Sequence, residues 1–255
     1  MNNDNWHYDT ATDFGLSFLD RLRRCPREPD PFVYAARTVS AIAIRAAMRI
    51  YNRFEIVGRD NLPGDRSFVM VSNHASHMDT VALLAALRLR CVHSAYPLAA
   101  RDYFDANRLR LALTAIIANV MLFDRDASGR QGLNHCKELL EKPGNVLIVF
   151  PEGTRTLDGQ VGMFRRGIGL LVAGTSYPVV PCYLKGTFHA LPKKSLIPRP
   201  SRVGLVIGKP RSFEQIEQSD SGAVQISNEL HDAVLALSSE TRRQTSRSLS
   251  KEAYQ

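Results

Sequence analysis

Residues 68–79 read Phe-Val-Met-Val-Ser-Asn-His-Ala-Ser-His-Met-Asp, and this stretch decides the fold. Its apolar half is typical of a buried strand that ends at Ser72, and a helical pattern begins near His77. The same order recurs along the chain, with strands predicted at 67–72, 120–124, 145–150, 179–184 and 202–208 and helices at 77–90, 101–119, 129–141 and 166–176. This alternation predicts an α/β fold with a mostly parallel central sheet covered by helices, whose ligand sites lie at the carboxyl ends of strands.

The composition is that of a globular protein. Of the 255 residues, 44% are hydrophobic and 23% are charged, which excludes a disordered chain, a collagen-like repeat and a coiled coil. Glycine and proline are spread out, so no long linker is indicated. We expect an N-terminal helical, membrane-associating segment at 1–51, one main domain at 52–240 and a disordered tail at 241–255, because the last stretch is rich in Ser, Arg and Thr.

His74 and Asp79 form the first candidate site. On a continuous helix, positions five apart are separated by ~140°, so the two side chains meet only if His74 lies in the strand-to-helix turn. There Asp79 can fix one imidazole nitrogen and leave the other free as a general base. Two alternatives remain open: Ser76 and Asp79 also match a helix capping box, and His77 could complete a metal site with His74 and Asp79.

A second candidate site follows another predicted strand, in residues 146–155, Val-Leu-Ile-Val-Phe-Pro-Glu-Gly-Thr-Arg. Pro151 stops the strand and puts the next four residues at its carboxyl end. Gly153 lets the backbone approach a ligand closely, and Arg155 can hold a phosphate in a fork. A turn of the same composition without a ligand is the alternative. Because both motifs follow strands, both can line one crevice.

The positive charge is concentrated in one part of the chain. The net charge is +8, and nine basic residues and no acidic one occur in residues 159–213. This block predicts a basic surface for an anionic partner, unless it serves only solubility. Nucleic acid is not expected as that partner, because Phe188 is the one aromatic residue between Lys185 and Arg211.

Residues 32–53 form an amphipathic pattern. On a helical wheel Arg37, Arg45, Arg49 and Arg53 share one half, opposite several apolar residues. Such a helix either lies in the headgroup plane of an anionic membrane or packs its apolar face on the protein's own core. With no spanning segment, no secretory signal and four scattered cysteines, we expect a peripheral protein on the cytoplasmic face of a membrane.

The motifs resemble those of the glycerolipid acyltransferases of the 1-acylglycerol-3-phosphate (PlsC-like) type. Residues 73–79 and 150–155 are similar to the first and third motifs of that family. Residues 119–125 are similar to the second, although Asn119 replaces its usual glycine; asparagine can also take a left-handed conformation. Residues 177–182 are similar to the fourth, in which Tyr177 and Cys182 replace the usual aliphatic residues.

The resemblance implies an enzyme that moves a fatty acyl group from acyl-CoA or acyl carrier protein to the free hydroxyl of 1-acylglycerol 3-phosphate, without cofactor or metal. It assigns His74 and Asp79 to catalysis. It assigns substrate binding to Arg125, Glu152, Gly153, Thr154 and Arg155, with Arg125 on the phosphate and Glu152 on the glycerol. It assigns acyl-chain binding to Val179, Val180 and Pro181. The alternatives are another acceptor, such as a lyso-ornithine lipid, and a non-catalytic basic lipid-binding protein.

Overall fold

A seven-stranded sheet forms the centre of the structure, a computed structural model that describes residues 30–100, 114, 117–123, 129–192, 195 and 197–252. The strands are β1 (Glu55–Val57), β2 (Phe68–Ser72), β3 (Ala95–Ala100), β4 (Met121–Phe123), β5 (Val146–Val149), β6 (Val179–Lys185) and β7 (Gly204–Ile207). Their order is β1-β7-β6-β2-β5-β3-β4. Among these strands only β6 and β7 are antiparallel neighbours, which confirms the mostly parallel α/β fold.

The sheet is covered on both faces, which explains why its central strands are apolar throughout. Every residue of β2 and β5 is buried. Along β2, Phe68 and Met70 belong to one core, and Val69 and Val71 to the core on the opposite face. The predicted strands are therefore found where continuous apolar runs occur. The sequence pattern does not predict β1 or β3, because β1 is a three-residue edge strand and β3 contains three alanines and a proline.

The helices are α1 (Pro31–Tyr51), α2 (Met78–Ala86), α3 (Gly129–Glu141), α4 (Gly167–Val172), α5 (Thr187–Ala190) and α6 (Asp220–Glu252). Helix α3 has the predicted bounds, whereas α2 and α4 are shorter than predicted. The helix expected at 101–119 lies mostly outside the described residues. No helix in the described part of the chain is long and apolar enough to cross a membrane.

Helix α2 ends on arginines from elsewhere in the chain. The carbonyl of Leu87, just past its last turn, accepts hydrogen bonds from Arg45 at 2.6 Å and from Arg59 at 3.1 Å. These donors satisfy a carbonyl that a helix end leaves without an internal partner, and their charge suits the negative end of the helix dipole. Burial lowers the pKa of Arg45, and the charge of Arg59 adds to this effect. Helix α1 is thus fastened to α2 through one of its arginines.

Helix α1 turns Arg37 and Arg45 inward, whereas Arg49 is exposed. Arg37 is 3% exposed and donates to the side chain of Asn119, while Met48 packs in the core. The opposite face is apolar and exposed; its large side chains are Phe32, Val39, Ile42 and Ile50, and we call it the α1 stripe. The helix therefore packs Val33, Ile44 and Met48 on the protein's own core, as one of the two alternatives has it, and leaves the α1 stripe exposed.

Helix α6 extends further than the sequence indicates. It runs to Glu252, so residues 241–252, which we expected in a disordered tail, continue the helix. The physical reason is that neither glycine nor proline follows Gly222, so nothing in the sequence stops the helix. Ile226, Leu230 and Val234 are fully buried on its inner side.

Candidate active site

The two motifs meet at one edge of the sheet. Strands β2 and β5 are parallel neighbours, with Val71 paired to Val149, so the residues that follow them emerge side by side. The ring of His74 stacks on that of Phe150, with centroids 4.1 Å apart. This contact confirms that the two motifs line one site.

Asp79 holds the imidazole of His74. Its Oδ2 lies 2.9 Å from His74 Nδ1, and it also accepts from the backbone N–H groups of Ala75 at 2.6 Å and Ser76 at 2.7 Å. Asp79 is fully buried, whereas the His74 side chain is 19% exposed. Three donors converge on one carboxylate oxygen, which stabilises the buried charge. Within the described part of the chain nothing hydrogen-bonds His74 Nε2, so this nitrogen can accept a proton.

The capping interpretation of Asp79 holds in part, because His77 and not Ser76 is the N-cap residue of α2, although the side chains of Ser76 and Asp79 both accept from N–H groups at its start. The carboxylate accepts from Ser76 N–H, and Ser76 Oγ accepts in turn from Met78 N–H at 3.1 Å. One carboxylate therefore caps α2 and orients the histidine. Both serines of this motif are fully buried; Ser76 Oγ donates to the Leu191 carbonyl and Ser72 Oγ to Asn73. Neither is placed to attack a substrate, so the nucleophile must come from elsewhere.

The loop that follows β5, residues 150–166, holds the backbone of His74 from both sides, and we call it the second loop. Its N–H donates to Glu152 Oε1 at 2.8 Å, and its carbonyl accepts from Thr156 N–H at 2.9 Å. The other oxygen, Glu152 Oε2, accepts from Gly162 N–H at 3.1 Å. Glu152 therefore ties together three segments of the site and has both oxygens occupied by protein donors.

Burial dominates the electrostatics of Glu152. It raises the pKa of this 7%-exposed carboxyl to about 7, because the low-dielectric surroundings disfavour its charged form. The two backbone donors lower the pKa, and Asp79 and Asp158 raise it again. Glu152 consequently changes charge near neutral pH.

Asn73 fixes the turn that carries His74. Its side-chain amide donates to the Leu184 carbonyl at 3.0 Å and accepts from Leu184 N–H at 2.8 Å. The amide thus makes two hydrogen bonds to β6, as the backbone of one more β2 residue would. Sequence reasoning missed Asn73, Thr156 and Gly162 as positioning residues. Asn73 could have been found, because a side-chain amide directly after a strand can continue its hydrogen bonds. Thr156 and Gly162 could not, because they act through backbone N–H groups, which do not depend on the residue type.

The remaining substrate-binding candidates lie in the second loop, except for one. Gly153 has a positive φ of 72°, Thr154 is exposed and Arg155 is half-buried. Arg125 lies outside the described residues. Asn119, just before β4, has a φ of 48°, which confirms the predicted left-handed conformation. Its amide joins Arg37 of α1 to the backbone of His93.

The acyl-chain candidates are not at this edge of the sheet. Val179 and Val180 are fully buried and pair with Val69 and Met70, two to three residues before the end of β2. Pro181 is buried beside them. Their role in binding an acyl chain stays a prediction. Among the described residues, no three His, Cys, Asp or Glu side chains group as metal ligands would, and His77 is exposed.

Comparisons with known proteins agree on one family. The chloroplast 1-acyl-sn-glycerol-3-phosphate acyltransferase of Arabidopsis thaliana is 34% identical over 170 residues, 65% of this chain and 46% of that protein. The mouse 1-acyl-sn-glycerol-3-phosphate acyltransferase alpha is 28% identical over 175 residues, 68% of this chain and 59% of that protein. The chain thus spans about half the length of the curated relatives it matches.

A solved structure shares the fold. The 1-acyl-sn-glycerophosphate acyltransferase PlsC of Thermotoga maritima superposes with a TM-score of 0.58 over 78% of this chain and 79% of that one, at 24% identity. The Acyltransferase family matches residues 53–185, which include both motifs of the site. The chain therefore belongs to the Acyltransferase family.

Proposed function

We propose that this protein transfers a fatty acyl group from an acyl thioester to the free hydroxyl of 1-acylglycerol 3-phosphate, giving phosphatidic acid. The observation that carries the proposal is the pair of His74 Nδ1 and Asp79 Oδ2 at 2.9 Å, beside a loop that ends in Arg155. The relatives named above are acyltransferases for this acceptor, which supports the same substrate here.

The geometry suggests the following steps. His74 Nε2 takes the proton of the acceptor hydroxyl while its oxygen attacks the thioester carbonyl carbon. The new C–O bond forms and the C–S bond breaks, and the leaving thiolate takes the proton from His74. Asp79 keeps Nδ1 protonated and stabilises the imidazolium between these steps. The thioester, from acyl-CoA or acyl carrier protein, already carries the activation, so the mechanism uses no cofactor.

The acceptor is held by its phosphate. Arg155 lies in the second loop and can make a forked, charge-assisted pair of hydrogen bonds, and Arg125 has the same role by resemblance. Gly153 and Thr154 directly precede Arg155 in this loop, and we assign them to binding the same acceptor. Each oxygen of Glu152 accepts from one backbone donor, and one of these donors is His74 N–H, so we assign Glu152 to positioning His74.

We also propose that the protein attaches to an anionic membrane surface through the α1 stripe. Ile50 is 81% exposed and Phe32 71%, more than an isolated domain needs to leave in water. The end of this helix is joined to residues 197–202, since Tyr51 donates to the Pro198 carbonyl and Asn52 to that of Arg199. The exposed basic residues around this junction are Arg49, Arg53, Arg199 and Arg202. An apolar stripe with a basic border suits anionic headgroups.

An acylation assay tests the function. Purified protein is given labelled acyl-CoA or acyl carrier protein and a panel of lysophosphatidic acid, lysophosphatidylcholine, lyso-ornithine lipid and monoacylglycerol. We expect lysophosphatidic acid to give the highest kcat/KM and a folded His74→Ala variant to lose ~10²–10⁴ in rate. His77→Ala is the matched control and should stay active. A preference for lyso-ornithine lipid would mean that this lipid, and not lysophosphatidic acid, is the acceptor. A fully active His74→Ala variant would refute the mechanism.

A further inference from the structure

Arg165 lies directly over the backbone of Gly153 in the candidate site. A Cβ atom at Gly153 would lie 2.8 Å from Nε and 3.0 Å from Cζ of Arg165, so the absence of a side chain makes room for the guanidinium. Gly153 also has a φ of 72°, a conformation that other residues rarely adopt. The glycine of this loop thus has a second purpose besides the turn: it admits a cation to the site.

The backbone of Arg165 is anchored while its side chain stays accessible. Its N–H donates to the Pro151 carbonyl at 2.9 Å, and its carbonyl accepts from Ser227 Oγ of α6 at 3.2 Å. The preceding Phe164 is buried in the core. Arg165 itself is exposed. These contacts fix where the side chain starts, so the guanidinium is presented at the second loop at a reduced entropic cost.

The neighbouring arginine provides a contrast. Arg166 points to the N-terminus of α6 and pairs with Asp220, with NH1 and Oδ1 3.1 Å apart. No carboxylate of the described residues comes within 4 Å of the Arg165 guanidinium in the same way. Two arginines adjacent in sequence therefore differ in that one is neutralised by the protein and the other is available to an anion.

The position of Arg165 indicates which anion it meets. Gly153 follows Glu152, whose carboxylate holds the backbone of His74. In a lysophosphatidic acid the hydroxyl that His74 deprotonates and the phosphate are on adjacent carbons, so the phosphate must lie close to the base. The phosphates of an acyl-CoA or acyl carrier protein donor are separated from the thioester by the pantetheine arm.

We propose that Arg165 is a further substrate-binding residue that contacts the phosphomonoester of the acyl acceptor beside Arg155. The assignment rests on the proposed function for its substrate class. It adds a guanidinium from the far end of the same loop, ten residues after Arg155. A phosphomonoester dianion has oxygens enough for more than one guanidinium fork.

The kinetic test removes the charge of Arg165 by mutation and the phosphate by a change of acceptor. Arg165→Ala, Arg165→Lys and the matched control Arg166→Ala are assayed with lysophosphatidic acid and with monoacylglycerol, which lacks the phosphate. We expect Arg165→Ala to lower kcat/KM for lysophosphatidic acid by about 10- to 100-fold and to leave monoacylglycerol unchanged. Arg165→Lys should recover part of the loss. Arg166→Ala should resemble wild type. Equal losses with both acceptors, or a raised KM for the acyl donor alone, would overturn the assignment.

A binding experiment separates this inference from the proposed reaction. Calorimetric titration of glycerol 3-phosphate into wild type, Arg165→Ala and Arg166→Ala needs no turnover. Loss of binding in Arg165→Ala with retention in Arg166→Ala supports the phosphate contact even if another lipid proves to be the acceptor. Equal binding by the two variants, or none by wild type, refutes it. Gly153→Ala should weaken binding as Arg165→Ala does, since its methyl group would occupy the place of the guanidinium.

Discussion

The candidate site and helix α1 both depart from the rule that charged side chains lie outside and apolar side chains inside. The site buries charged side chains, and helix α1 exposes apolar ones. In the site, Asp79 at the start of α2 is fully buried and Glu152 in the second loop is 7% exposed. Along α1, Ile50 is 81% and Phe32 71% exposed. The buried acids accept hydrogen bonds from backbone N–H groups, whereas the large side chains of the α1 stripe are more than half exposed.

The two regions are therefore suited to different environments, one to the protein interior and the other to a second apolar surface. A buried carboxylate is tolerated where hydrogen bonds replace part of the water it lost, and both acids of the site find such donors within the protein. An exposed apolar stripe is stable only against another apolar medium, and the proposed membrane surface supplies it. Changes in the loops should therefore affect catalysis and folding, and changes in the α1 stripe should affect attachment.

The largest effect is expected at Asp79. In Asp79→Asn the neutral amide oxygen accepts more weakly from the three donors than a carboxylate oxygen does, and the side chain no longer stabilises the imidazolium. We expect kcat to fall by ~10²–10⁴ with little change in KM. Steady-state kinetics at saturating donor measures this. An unchanged kcat in a folded variant would mean that Asp79 only caps α2, and circular dichroism provides the check on folding.

A smaller loss is expected from Glu152→Gln. The side chain keeps its size, but its NH₂ group cannot accept a hydrogen bond, so either His74 N–H or Gly162 N–H loses its partner. A lost hydrogen bond to a charged group corresponds to about 10- to 100-fold, and we expect it in kcat rather than KM. A raised KM for lysophosphatidic acid with unchanged kcat would instead support direct glycerol binding by Glu152.

The stability of the protein should depend on pH through Glu152. Its pKa of about 7 in the folded state lies above the ordinary value of 4.5, so the folded state binds this proton more tightly than the unfolded state. The free energy of unfolding should therefore fall as the pH rises from about 4.5 to 7, by on the order of 3 kcal/mol at most from this group. Urea unfolding of wild type and Glu152→Gln at pH 5 and pH 8 measures it. Identical pH dependence in both proteins would contradict the raised pKa.

The smallest effect is expected in the α1 stripe. Ile50→Glu should leave stability and turnover of dispersed substrate unchanged, because the side chain has almost no protein contacts to lose. It should weaken binding to phosphatidylglycerol vesicles about tenfold or more, since a buried isoleucine contributes ~1.5–3 kcal/mol. Val224→Glu, at a 46%-exposed position of α6, is the matched control in a sedimentation assay. If both variants bind alike, the stripe is not the attachment surface.

Much of the site could be predicted because its chemistry is local. His74 and Asp79 are five residues apart, and the change from an apolar run to a helical pattern indicated the turn between them. The left-handed conformation of Asn119 followed from its residue type. The hydrogen bond between His74 N–H and Glu152 could not be predicted, because Glu152 lies 78 residues away and a backbone N–H group does not depend on the residue type. Arg165 and Arg166 are likewise identical in type, and only the fold distinguishes them.

In helix α1, the local pattern of residues and the long-range contacts of the fold had separate effects. The periodicity of residues 32–53 determined an amphipathic helix, because a helical repeat is a property of neighbouring residues. Which side faces inward was decided by the carbonyl at the end of α2 and the amide of Asn119, which Arg45 and Arg37 reach across 42 and 82 residues of chain. Buried polar groups must find partners, and satisfying them turned Arg37 and Arg45 inward and left the α1 stripe outside.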